Sequence, residues 1–321
     1  MIAGSEILRN RRTVYLTCLG ADIYMFAMLI SQYASASAAN VLLMLDGSLS
    51  GLIPVLDGMI MLVSVTLGAV LLWLYAAEEH RNGQLFAGLD PVNEILGRNS
   101  RMGIGKFISF AALIFVLQIA AMIFLDLTEL VLNMFGLTLS YSPALNADYS
   151  VSLPFMLYAV LIGPAVEELV FRGFILKALK PCGKLFAVLV SALMFSLMHG
   201  DIQQLLFTFF AGLLFGYIAV QYSIWASFLL HIVNNGIYGE LLTYLQDSLP
   251  EMLYGILMLV FVLFCIVLTV MLAAGGRKKL SEFIHGEKTG AGAKRAMLNR
   301  WFIAYAAFCI AETCMTITSL Q

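Results

Sequence analysis

Charge is scarce in this chain. Only 12% of its residues are Asp, Glu, Lys or Arg, against about 25% in a soluble domain. Hydrophobic residues make up 61%, and the mean hydropathy is +0.91. This excludes an ordinary soluble fold. A basic domain is also missing: Lys and Arg come in small clusters between apolar runs, which excludes nucleic acid as a partner. The five cysteines (Cys18, Cys182, Cys265, Cys309, Cys314) are odd in number and form no C-x-x-C, so neither a disulfide framework nor a thiolate zinc site is expected. They read as small apolar fillers. There is no H-E-x-x-H, and no internal repeat of about 20–50 residues that would make a solenoid.

What is present is a series of apolar runs, at 13–30, 52–76, 107–125, 153–176, 185–198, 203–222, 225–245 and 252–274. A membrane helix needs about 20 residues. The expected fold class is therefore all-α, a polytopic membrane helix bundle with about eight transmembrane helices. The 185–198 run is short enough to enter at a tilt or to stop inside the bundle. Ala34-Ser35-Ala36 resembles a signal-peptide cleavage site, but the run before it is long for a signal core and holds Asp22, so a first span is preferred. With the N-terminus in the cytoplasm and one crossing per run, every one of the 18 basic residues except Arg172 falls in a cytoplasmic segment. The outer segments carry acids such as Asp46, Asp126 and Glu129 and no Lys or Arg. This is the positive-inside pattern. Three regions follow: 1–149 with three spans, 150–274 as the core, and 275–321 as a basic, glycine-containing linker (275–300) with an apolar tail. The tail, 301–320, is open between a ninth span and an interfacial helix.

Inside the fourth run lies Glu167-Glu168-Leu169-Val170-Phe171-Arg172, just after Gly163-Pro164. Proline removes a helix hydrogen bond, so a kink or break is expected there. Charges inside a span are costly and usually functional. Glu168 and Arg172 are four apart and can pair on one face. Glu167 points about 100° away from Glu168, so that pair does not account for it. Its chemistry suits a general acid or base, since a buried carboxyl group can exchange a proton near neutral pH. The bland alternative is an ion pair that only locks helix packing. The fifth run ends in Phe195-Ser196-Leu197-Met198-His199-Gly200. Alone, His199 reads as readily as a capping or interface residue. In the seventh run, His231 and Asn235 are four apart and share a face, with Asn234 beside them. Their N–H groups suit a developing oxyanion; plain interhelical hydrogen bonding is the competing reading. By helical rise Glu167 and His231 lie roughly 12–15 Å from the cytoplasmic surface, while His199 lies about 22 Å along its helix, out of step with the others.

In order, these residues spell E-E-x-x-x-R, F-x-x-x-H and H-x-x-x-N, the pattern of the CPBP family, which includes type II CAAX prenyl endopeptidases and bacterial Abi proteins. The chain resembles that family over about residues 150–245. The resemblance implies an intramembrane endopeptidase acting near the cytoplasmic face. In it Glu167 and His199 would activate a water, His231 and Asn235 would polarise the scissile carbonyl, and Glu168 with Arg172 would support the site. It leaves the cofactor open. Glu167, His199 and His231 would make a three-ligand zinc site, yet the same residues suffice for a glutamate-activated water with no metal. The expected partners are the lipid bilayer and a membrane-bound peptide or protein substrate. Two other readings compete: a non-catalytic immunity or adaptor protein that binds a peptide, and a proton-coupled transporter. Gly-Pro occurs in one helix only, with no matched half, which weighs against the transporter.

Overall fold

The computed structural model describes residues 2–88, 90–139, 152–286 and 288–319. It is an all-α membrane helix bundle with one short antiparallel strand pair. The elements are α1 (Ile2–Leu45), α2 (Ile53–Arg81), α3 (Pro91–Leu96), α4 (Ile104–Asn133), β1 (Leu137–Leu139), α5 (Leu153–Cys182), α6 (Lys184–Met198), α7 (Ile202–Gln221) and α8 (Ile224–Ile232). The backbone continues from α8 through a π-helical stretch, Val233–Leu241, into α9 (Leu242–Ser248). Then come α10 (Glu251–His285), α11 (Ala293–Ala296), α12 (Arg300–Cys314) and β2 (Ile317–Ser319).

Among the described residues, six helices are long and apolar enough to cross a membrane. Two expected spans are not among them. Helix α6 has 15 residues, about 22 Å of rise, short of a hydrocarbon core of about 30 Å. The 225–245 stretch is helical throughout but carries Asn234-Asn235-Gly236 and Glu240, which dilute its apolar character. The segment expected as a linker from 275 also differs. Helix α10 runs on to His285, because Leu280, Phe283 and Ile284 alternate with good helix-forming charged residues. Along α10, Leu259, Val260, Phe264 and Val267 are all more than half exposed. A soluble monomer rarely shows so continuous an apolar face; in a bilayer it meets lipid. The chain is an integral membrane protein.

The helices form two compact units. In the first, α1 packs along α2. The Tyr75 hydroxyl donates to the Leu16 carbonyl (2.9 Å), and the Ser64 hydroxyl donates to Ser31 (3.2 Å). Helix α5 closes this unit, with the Ser152 hydroxyl donating to the Pro54 carbonyl (2.8 Å). The C-terminal segment 290–307 lies beside the basic start of α1: Asn10 Nδ2 donates to Ala291 O (3.2 Å), and Arg300 and Trp301 lie against Tyr15.

In the second unit, α7 lies so close to α6 that a Cβ on Gly212 would sit 3.1 Å from the Ala192 Cα. The rings of Phe115, Tyr238 and Phe261 join α4, the π-helical stretch after α8, and α10. The Tyr238 hydroxyl donates to Ala111 O (2.9 Å). Strand β2 pairs with β1, Leu139 opposite Ile317, just past the end of α4.

Candidate active site

The expected site residues fall into two sets, one in each unit.

The carboxylate set lies on α5. The expected disruption at Gly163-Pro164 takes a specific form: two π-helical stretches, Tyr158–Ile162 and Glu168–Ile175, with an α-helical turn between them. Pro164 has no N–H to give, and the Gly163 N–H reaches back five residues to the Tyr158 carbonyl. A Cβ at 163 would lie 2.7 Å from that oxygen, so the wide turn needs a glycine there. π-helical turns occur often at functional sites. Glu168 and Arg172 form the expected pair, Nη1 to Oε1 at 3.2 Å, with both side chains almost wholly buried (1% and 0% exposed). Burial of both ions is costly unless the geometry is good, and removal of one partner is worse. Glu167 sits at the junction of the central turn and the second π stretch.

The histidine set is built around one ring. His199 Nδ1 is 2.8 Å from the Phe195 carbonyl oxygen. A carbonyl can only accept, so Nδ1 carries the hydrogen, and in the neutral ring Nε2 is the nitrogen that can take a proton. The Phe195 ring stands edge-on to His199 (centroids 4.8 Å, 85°) and edge-on to His231 (5.9 Å, 89°). The depth mismatch expected for His199 therefore does not separate the two histidines: both rest on Phe195. On its other side His231, 4% exposed, stacks on Phe215 of α7 (4.8 Å, 25°). Past His231 the backbone widens into its π stretch, and Asn234 Nδ2 donates to Asn235 Oδ1 (2.9 Å). This orients the Asn235 amide and leaves Nδ2 as its donor end.

The helix starts hold these groups in register. Asp201 caps α7, accepting from Gln203 N (2.8 Å), and Ser223 caps α8, accepting from Ala226 N (3.2 Å). Gly200 takes a left-handed turn (φ +58°) after His199, with the Glu312 side chain packed over it. Phe215 was not recognisable from sequence as a site residue. The role of Phe195 was also hidden, since its motif position says nothing of a second histidine.

Among the described residues, no group of three or more His, Cys, Asp and Glu side chains is arranged to hold a metal ion.

No curated protein and no solved structure matches the chain. A family model does: residues 149–237 match the type II CAAX prenyl endopeptidase Rce1-like family. The match covers less than a third of the chain but contains all three motifs, Glu167-Glu168 to Arg172, Phe195 to His199 and His231 to Asn235. Such a family implies a protease of the CAAX type, set in the membrane. Over this segment the chain is similar to that family of membrane proteases.

Proposed function

We propose that the chain is an intramembrane endopeptidase that cuts a membrane-associated peptide or protein tail near the cytoplasmic face with a water activated by glutamate and histidine. The observation that carries this reading is the family match, whose ordered motifs include the histidines gathered on Phe195. Glu167 takes a proton from water, and the water oxygen attacks the scissile carbonyl carbon. His231 and the Asn235 amide donate to the oxyanion that forms. His199, held through Nδ1, steadies the water from its Nε2 side. The proton held by Glu167 then passes to the leaving nitrogen as the C–N bond breaks. Glu168 and Arg172 support this arrangement and take no proton.

The orientation rests on the charge pattern, with the N-terminus and the 275–300 region cytoplasmic. The tail stays open between a ninth crossing and an interfacial helix, since α12 has 15 residues, as few as α6. Cys314 is exposed whereas the other four cysteines are buried. Its labelling in intact cells by a membrane-impermeant maleimide would make the tail a ninth crossing; labelling only after lysis would put it on the cytoplasmic surface.

The activity test is cleavage of membrane-anchored peptides by detergent-purified protein. Glu167→Gln keeps the shape and removes the base, and turnover should fall by about 100-fold or more with an unchanged melting temperature. Equal turnover by the variant and the wild type would remove Glu167 from this role. Peptide binding without cleavage by the wild type would favour an adaptor instead.

A further inference from the structure

Tyr24 lies in α1, outside the family match, and takes no part in the chemistry above. Its side chain is 1% exposed, and its hydroxyl finds no hydrogen-bond partner among the described residues. A buried hydroxyl left in that state is costly, so such groups usually serve a partner.

Three observations within the first unit say where that hydroxyl works. Helix α1 meets α5 at Gly20, where an added Cβ would lie 2.6 Å from the Phe174 ring. Tyr24 is one turn beyond Gly20 on the same face of α1, and Glu167 precedes Phe174 by seven residues along α5. The first and fourth crossings run in opposite directions, so a step from Gly20 to Tyr24 follows α5 back from Phe174 towards Glu167. Second, Tyr24, Tyr158 and Glu167 lie within electrostatic reach of one another. Third, α2 closes the space behind the ring: a Cβ on Gly68 would sit 2.9 Å from the Tyr24 carbonyl oxygen and 3.0 Å from its Cδ2.

We propose that Tyr24 is a water-positioning residue, its hydroxyl and that of Tyr158 holding the water on which Glu167 acts. This rests on the endopeptidase reading. A carboxylate only accepts, whereas a phenol both donates and accepts. With one water hydrogen given to Glu167 and the other left for His199 Nε2, the Tyr24 O–H donates to one lone pair of the water oxygen and the second lone pair is left to attack. A water in an apolar span needs two or more such partners to be held at all.

The test uses the full-length protein in detergent and has two arms. In the first, 3-fluorotyrosine is placed at position 24, and separately at Tyr244, which is 66% exposed, as a control. The fluorine resonance at 24 should shift between the Glu167 and Glu167→Gln backgrounds, and that at 244 should not. This arm needs no substrate. In the second, Tyr24→Phe should lower kcat about tenfold or more, the scale of one lost transition-state hydrogen bond, with KM and melting temperature unchanged. Tyr158→Phe should do the same to a smaller degree. An unmoved resonance at 24 overturns the proposal even if Tyr24→Phe is slow. A moved resonance with full turnover overturns the role while keeping the contact. If the wild type cuts no peptide at all, the endopeptidase reading fails by itself and the water-positioning role with it, while the resonance still decides whether Tyr24 lies beside Glu167.

Discussion

The Glu168–Arg172 pair and the His199/His231 pair answer one problem, polar groups inside apolar helices, by different means. On α5 two charges neutralise each other at 3.2 Å with almost no solvent contact. In the second unit the rings rest on other rings: Phe195 stands edge-on to both histidines, and Phe215 stacks on His231. An ion pair is fixed by charge and fails abruptly when one partner leaves. An aromatic cage yields in smaller steps, since each ring pair contributes about 0.5–1.5 kcal/mol beyond its buried area. The first arrangement therefore suits groups that must stay charged, and the second suits rings that must stay oriented.

Three substitutions would break or sharpen that contrast. Arg172→Ala should have the largest effect, a loss of about 3–5 kcal/mol from leaving Glu168 buried without its countercharge; thermal unfolding in detergent would read it. The double variant Glu168→Gln/Arg172→Met should recover much of that loss, and if it proves as unstable as the single variant, charge is not what holds this part of α5. Next is Phe195→Ala. Loss of a buried ring should cost roughly 3–5 kcal/mol at most, and less where neighbours collapse into the space. Here the informative readout is the histidine ring spectrum: with four histidines in the chain, the His199 and His231 signals can be assigned by substitution, and both should move together. Movement of one alone would mean that Phe195 does not link them. Smallest is Ser223→Ala, which removes the cap of the helix carrying His231 and should cost about 1 kcal/mol with little effect on the α5 pair.

Part of this was legible in the sequence because it is local. The i, i+4 spacing of Glu168 and Arg172 gives the pair, and hydropathy with charge asymmetry gives the membrane fold. Gly163-Pro164 gives a disruption of α5, though not its π-helical form, which depends on which carbonyls the surrounding packing leaves for the N–H groups to reach. The rest is tertiary. Phe195 and His231 meet only because α6 packs beside α7 and α8 returns next to it, and Tyr24 reaches the neighbourhood of Glu167 from the other end of the sequence. The helix over 275–285 is hidden because its basic charges suggest a solvated linker, yet Phe283 packs edge-on against Tyr217 at 5.1 Å and helps carry α10 onward.

The π-helical stretches have a consequence for insertions and deletions. Each i→i+5 bond encloses one residue more than the i→i+4 bond of an α-helix, so Tyr158–Ile162, Glu168–Ile175 and Val233–Leu241 each hold a surplus residue. A single deletion within 168–175 would let the helix close into ordinary α geometry. The wide turn would be lost, and a deletion between Glu168 and Arg172 would shorten their spacing from four to three. In kin of this chain, a one-residue gap that would pass unnoticed in a loop should mark, at these three places, a protein whose site has been rebuilt or lost.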